Sequence, residues 1–304
     1  MRTVYLGTTD FAARVLERLA DSPHRPALVV TRPDRPRGRG RHLASPPVAD
    51  AARALGLALD QPQSVNEDAA RQRIAAAQPD TVCICAFGAL IKEPLLSAHP
   101  MLNVHPSLLP RWRGAAPIER AIEAGDTETG VSIMRPVAQM DAGPVCLARA
   151  EPIRPDDDYG SLSGRLREVA ADLLIKTLDD QPPCEEQPDE GVTVADKIGP
   201  GDRGLDPEAS PAEALALRVR ALTPHIGAHV HLGAGRGTLG VNLAVPVTED
   251  AAGVAPAALM AREGRLLLGC ANATVLELVD VKPEGGRAMP AADWLRGRGK
   301  QLLA

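Results

Sequence analysis

The sequence predicts an α/β chain in two parts: a doubly wound, mostly parallel sheet, then a small all-β domain. Three observations predict it. Short, wholly apolar runs alternate with helical periodicities up to residue 124, with no hairpin signal between them. A stretch rich in Pro, Gly and acids, QPPCEEQPDEGVTVADKIGPGDRGLDPEASP, then interrupts the pattern. After one further helix come short strands separated by turn residues, over about 100 residues.

In chain order, TVYLG (3–7) reads as a buried strand. Thr8, Thr9 and Asp10 supply cap chemistry for a helix over 11–20, where Phe11, Val15, Leu16 and Leu19 recur at helical spacing. ALVVT (27–31) is a second strand, and 47–55 a helix with Pro in its first turn. A helix over 69–77 precedes TVCICA (81–86), a strand too apolar to face water on either side. A strand over 102–105 and a helix over 118–124 follow. Strands over 130–134 and 145–152 lack a helix between them, and a long helix is expected over 159–178. Residues 181–211 read as linker. A helix over 211–222 leads to strands over 228–232, 239–245, 265–270 and 274–281, a small barrel or sandwich. The boundaries drawn are a first domain over 1–189, a linker over 190–204 and a second domain over 205–304.

Aromatics are 2% of the chain, so the core is aliphatic and a row of platforms for stacking single-stranded bases is excluded. Net charge is −5, so the global field does not steer the chain to nucleic acid and any polyanion site must be a local patch. One such patch exists: Arg32, Arg35, Arg37, Arg39 and Arg41 with a single acid, Asp34, and with Gly38 and Gly40 between arginines. Arginine binds phosphates bidentately, so this loop fits a nucleic-acid backbone. The cysteines Cys83, Cys85, Cys146, Cys184 and Cys270 form no C-x-x-C pair. Reduced, mostly buried thiols in a cytoplasm are expected. No signal peptide is visible, and the longest apolar stretch is about half a membrane span. His225, His229 and His231 have no carboxylate or thiol at ligand spacing, so no metal is expected.

The densest chemistry lies in NVHPSLLPRWRG (103–114). Asn103 and His105 stand on one face of a strand end, where an amide donor and an imidazole point at one reacting atom. That pair suits an oxygen that becomes negative in a tetrahedral intermediate. A carboxylate is needed to orient the imidazole or take a proton, and the candidate is Asp141, in a turn between two strands.

The segment NVHPSLLPRWRGAAPI (103–118), followed by TGVSIM (129–134) and MDAGPV (140–145), resembles the folate-dependent formyltransferases. The form SLLPRWRGAAP, joined to GTTDFAARVL (7–16) and TRPDRPRGRGRHL (31–43), resembles the methionyl-tRNA formyltransferases among them. The likeness runs through almost the whole first domain and weakens after residue 190. It implies a Rossmann-like formyltransferase domain followed by an OB-fold-like tRNA-binding domain; a cytoplasmic monomer is expected. It implies transfer of the formyl group of 10-formyltetrahydrofolate, a co-substrate, to the α-amine of initiator methionyl-tRNA, without a metal. It places Asn103, His105 and Asp141 in a catalytic triad. Ser107, Leu108, Leu109, Pro110, Phe87 and Gly88 would bind folate, and Arg35, Arg37, Arg39 and Arg41 would bind tRNA. The second domain is charge-neutral, with ten Lys/Arg and ten Asp/Glu from Leu205 onward. Its basic residues Arg218, Arg220, Arg287, Arg296, Arg298 and Lys300 are expected to cluster on one face. The rival activities are formyl transfer to an amino sugar or to glycinamide ribonucleotide, and the rival of another class is a catalytically silent tRNA- or folate-binding protein.

Overall fold

A computed structural model describes residues 1–37, 42–233, 236–247 and 253–299. The chain divides into two compact units, one of Met1–Pro117, Glu128–Pro152 and Ser163–Ala195, the other of Ile118–Thr127, Ile153–Leu162 and Asp196–Ala304.

The elements, in chain order, begin with β1 (Thr3–Gly7), α1 (Asp10–Ala20), β2 (Pro26–Val30), β3 (Arg35–Arg37), β4 (His42–Ala44) and α2 (Pro47–Ala54). Then come β5 (Leu59–Asp60), α3 (Asp68–Ala76), β6 (Thr81–Cys85), α4 (Leu95–Ala98), β7 (Met101–His105) and β8 (Arg113–Gly114). They continue with α5 (Pro117–Glu123), β9 (Glu128–Met134), β10 (Val145–Pro152), α6 (Tyr159–Asp180) and β11 (Val194–Ala195).

The sheet of the first unit has seven strands in the order β10-β9-β7-β6-β1-β2-β5. From β7 to β5 every pairing is parallel, as the alternating pattern predicts. β9 and β10 join antiparallel, which is why no helix separates them in the sequence. At the centre of the sheet β1 and β6 are buried at every position. Val4, Leu6, Val30, Val82, Ile84 and Phe87 form the centre of one core cluster. Burying each such side chain contributes roughly 1.5–3 kcal/mol. The α1 helix starts at Thr9, whose hydroxyl accepts from the Ala12 amide. Its outer face is tied to α6, with Arg14 and Arg18 both on Glu168 at 2.6 and 2.8 Å.

The remaining elements are α7 (Ala212–Leu222), β12 (Ala228–His231), β13 (Thr238–Pro246), β14 (Leu259–Arg262), β15 (Arg265–Gly269), β16 (Val275–Pro283), β17 (Met289–Pro290) and α8 (Ala291–Trp294). In the second unit these strands make an antiparallel sheet in the order β12-β13-β16-β15-β14, with β17 on β16. Leu215, Val219 and Leu222 of α7 join Val230, Val241, Leu268, Leu278 and Trp294 in its core. This is the separate small β domain that the turn-punctuated sequence predicts. Among the described residues no helix is long and apolar enough to cross a membrane.

Three expectations are corrected. First, the arginine loop is a hairpin in its flanks: Arg35, Pro36 and Arg37 pair with Ala44, Leu43 and His42. Second, the stretch after α6 is not plain linker. Glu185 exchanges both backbone hydrogen bonds with Val145, and β11 runs parallel to β8. Ladders of one or two residues leave no periodicity to read. Third, Cys146 and Cys184 are joined by a disulfide across 38 residues, where reduced thiols are expected. The Val145–Glu185 bridge sets their backbones side by side, a juxtaposition that sequence spacing does not encode. Cys83, Cys85 and Cys270 are free and buried, and burial pushes the first two thiols up to about 12.

The expected basic face of the second domain is also altered. Arg218 is engaged by Glu123 at 2.6 Å, and Arg220 donates to the Arg154 carbonyl at 2.9 Å. Both lie on α7 toward the 118–127 and 153–162 segments of their own unit, so their charges are used internally. Arg296 pairs with Asp293. Lys300 and the side chain of Arg298 lie outside the described residues. His225 stacks on Tyr159 at 3.5 Å and meets Glu119 at 3.0 Å, while His229 and His231 meet edge to face.

Candidate active site

Strand β7 delivers Asn103 and His105 to the carboxyl edge of the sheet, at the switch between parallel and antiparallel pairing. Its register fixes them: Asn103 stands opposite Ile84 on one side and Met134 on the other, and His105 opposite Ser132. In parallel sheets this edge is where ligands bind. His105 is 4% exposed, so its ring is held by protein rather than by water.

Asp141 comes from the turn between β9 and β10 and reaches both residues. Asn103 Nδ2 donates to Asp141 Oδ1 at 3.4 Å, and His105 Nδ1 lies 3.6 Å from Asp141 Oδ2. The Gly114 amide donates to the same Oδ2 at 3.0 Å. Three groups that the sequence places in two separate segments therefore converge. On its other side His105 Nε2 lies 2.8 Å from the Trp112 carbonyl. A carbonyl only accepts, so Nε2 carries the proton, and the Nδ1 edge is the one turned toward Asp141.

Two of the residues that build this geometry sit in left-handed backbone. Trp112 has φ 63° and Asp141 φ 48°. Such conformations cost of order 1–3 kcal/mol and persist where the surroundings over-determine them. Gly114 has φ 129°, and a Cβ there would lie 2.6 Å from the Ala195 carbonyl oxygen, so the close approach of β11 to β8 requires glycine.

The residues expected to bind folate divide. Leu108, Leu109 and Pro110 line the turn after β7 and are half-buried. Ser107 is fully buried; its hydroxyl donates to the Arg111 carbonyl at 2.6 Å, and its carbonyl accepts from Ser132 at 2.8 Å. Its side chain closes the loop from within. The Phe87 ring belongs to the core, while its carbonyl accepts from Thr8 and the Gly88 carbonyl from Arg32. Of the arginines expected to bind tRNA, Arg35 is exposed in β3. Arg39, Arg41 and the side chain of Arg37 lie outside the described residues. Asp34, the acid of that loop, is occupied by Gln61 and Ser45, and the Gln61 hydrogen bond holds its carboxyl below the usual range.

Sequence reasoning missed the groups that hold the site. Gln187 and Thr193 touch it from a stretch that reads as linker, and Trp112 and Gly114 act through backbone atoms, which residue type does not announce.

Residues 1–178 match the family model described as formyl transferase, and residues 197–299 match that of the formyl transferase C-terminal domain. The methionyl-tRNA formyltransferase of Halorhodospira halophila is 42% identical over 310 residues, covering 98% of this chain and 96% of that one. That of Thermus thermophilus is 42% identical over 302 residues, covering 98% and 97%. The chain belongs to the methionyl-tRNA formyltransferase family.

Solved structures of lower identity share the fold of this family member. HypX from Aquifex aeolicus in complex with tetrahydrofolic acid superposes with a TM-score of 0.66 at 17% identity, covering 97% of this chain and 47% of that one. An N-formyltransferase from Helicobacter canadensis does so with a TM-score of 0.66 at 12% identity, covering 91% and 98%.

Proposed function

We propose that the protein transfers the formyl group of 10-formyltetrahydrofolate to the α-amine of initiator methionyl-tRNA, giving N-formylmethionyl-tRNA in the cytoplasm, and that it acts as a monomer. The observation that carries the chemistry is the convergence of Asn103, His105 and Asp141 at one strand end. Full-length kinship to methionyl-tRNA formyltransferases supports the acceptor. In this reading residues 1–189 form the catalytic domain, 190–204 a linker and 205–304 a tRNA-binding domain. The loop of Ser107, Leu108, Leu109 and Pro110, with the Phe87–Gly88 backbone, forms the folate side of the site.

The methionyl amine attacks the formyl carbon, and the carbonyl oxygen becomes an oxyanion. Asn103 Nδ2 donates to it, and the Nδ1 edge of His105, once protonated, adds a second donor. His105 Nδ1 takes the proton that the amine loses, and Asp141, which lies against both residues, balances the resulting imidazolium. The bond from the formyl carbon to N10 then breaks, and N10 takes up the proton from the His105 imidazolium as tetrahydrofolate leaves. The three residues act together on the oxyanion and on the amine proton, so each is needed.

For the acceptor, Arg35 is an exposed cation on a hairpin flank, and Arg37, Arg39 and Arg41 continue the series along the sequence. We assign these four to tRNA phosphates. Arginine forks match phosphate, and residues 32–41 hold five arginines to one acid within an acidic chain.

The test offers labelled 10-formyltetrahydrofolate with methionyl-tRNA in one tube and an amino-sugar nucleotide in another. Label is expected on methionine. His105→Ala is expected to slow that transfer by about 10²–10³-fold, since it removes a donor to the oxyanion. Arg39→Ala is expected to weaken tRNA binding and to lower its salt slope by about one, with folate affinity unchanged. Label on the sugar alone, or a fully active His105→Ala protein, would overturn the assignment.

A further inference from the structure

The stretch between Cys184 and Ala195 does more than join two domains. Its ends are fastened: Cys184 to Cys146 by the disulfide, Glu185 to Val145 by paired backbone bonds, and β11 to β8 by a parallel ladder. Two side chains then reach inward from an otherwise exposed segment, and each grips one of the two strained residues of the site.

Gln187 grips Asp141. Its Nε2 donates to the Asp141 carbonyl at 2.8 Å and to the Gly143 carbonyl at 2.7 Å, and its Oε1 accepts from Arg113 Nε at 2.9 Å. An acceptor at one end and two donors at the other are all matched, so the amide has one orientation. It spans the turn that carries Asp141 in left-handed backbone. Thr193 grips Trp112. Its Oγ1 accepts from the Trp112 amide at 2.8 Å, and its carbonyl accepts from the Arg113 amide at 2.9 Å. Trp112 is the residue whose carbonyl sets the proton of His105 on Nε2.

We infer that Gln187 and Thr193 are positioning residues, Gln187 acting through Asp141 and Thr193 through the Trp112 carbonyl on His105. The inference rests on the reading of Asn103, His105 and Asp141 as the reacting groups. Neither residue touches the reacting atoms. Each holds a backbone conformation that would otherwise relax, and a relaxation of about 1 Å at a reacting group costs up to about 10²-fold in rate. Partners behind reacting or ligating groups typically carry effects of about 10–100-fold.

The experiment uses the full-length protein, with transfer from 10-formyltetrahydrofolate to methionyl-tRNA as readout. Gln187→Glu keeps the shape and the acceptor for Arg113 but sets a carboxylate against two carbonyls. Thr193→Val keeps the shape and removes the acceptor for the Trp112 amide, while Thr193→Ser restores it. Gln187→Glu and Thr193→Val are each expected to lower kcat by about 10-fold or more, with both KM values within about 2-fold; Thr193→Ser is expected to recover most of the loss. The decisive readout is coupling. In an Asp141→Asn background Gln187→Glu is expected to cost little more, and in a His105→Ala background Thr193→Val likewise. Circular dichroism melts check that each protein is folded at the assay temperature, and Thr193→Ser against wild type carries the comparison where Thr193→Val is not. Wild-type kcat in folded Gln187→Glu and Thr193→Val proteins, or losses that simply multiply in the double variants, would overturn the inference. Full activity of Asp141→Asn itself would instead overturn the reading of the site.

Discussion

Residues 105–114 and residues 184–195 are both irregular and proline-bearing, yet they are built in opposite ways. In the first, the polar groups turn inward: His105 and Ser107 are buried, and their bonds run to the carbonyls of Trp112 and Arg111 in the same loop. In the second, Glu186, Pro188, Asp189 and Glu190 face solvent, and the inward contacts run to other segments. One stretch presents reacting groups and holds a strained Trp112; the other supplies fixed partners that keep the strain from relaxing. The comparison teaches that the rigidity of the site is not a property of the loop that carries the motif. It is supplied from a segment more than 70 residues further along the chain, by side chains whose own chemistry is unreactive.

The strongest way to break this division of labour is to force the Asp141 turn apart from within. A Cβ at Gly143 would lie 2.0 Å from the Arg135 carbonyl oxygen. Gly143→Ala must therefore move backbone, and it also displaces a carbonyl that Gln187 holds. It is expected to cost roughly 2–4 kcal/mol in a denaturant melt and to lower kcat by about 10²-fold. Unchanged stability together with unchanged kcat would show that the turn is not held as described.

A second perturbation loosens the outer stretch at its start. The disulfide closes 38 residues, and its loss with both Cys146→Ser and Cys184→Ser is expected to lower stability by about 2–4 kcal/mol. The Val145–Glu185 backbone pair stays, so kcat measured well below the melting point is expected within about 3-fold of wild type. A larger kcat effect would extend the positioning role back to the cross-link. The check is an equilibrium melt with a steady-state assay on the same preparation.

The smallest effect is expected far from both stretches. Hydrogen bonding from Arg14, then from Arg18, holds the Glu168 carboxyl below its ordinary value. The folded value lies below the unfolded one, so this contribution is present above the ordinary carboxylate range and is lost as pH falls through the folded value. The pairs are partly exposed, and Glu168→Gln is expected to cost less than about 1 kcal/mol at neutral pH. It is also expected to flatten the acid limb of the stability profile slightly. A loss above about 2 kcal/mol in a urea melt would contradict the screening argument.

The sequence by itself determined the elements of the first unit with the strongest periodicity and the segments that meet in the site. Runs such as TVYLG and TVCICA are apolar at every position because both faces of a parallel sheet are covered, and that constraint is written locally. Asn103 and His105 share a strand face for the same local reason, and the motif around them, with MDAG further along, identified Asp141. The tertiary structure decided the rest. The Cys146–Cys184 cross-link, the internal use of Arg218 and Arg220, and the grips of Gln187 and Thr193 all depend on partners far away in the chain. A hydrogen bond between a side chain and a distant backbone carbonyl leaves no period and no spacing, since any residue type presents that carbonyl. Chemistry that resides in side-chain identity is legible in one dimension; chemistry that resides in backbone atoms held at a particular place becomes visible only when the chain has folded back upon itself.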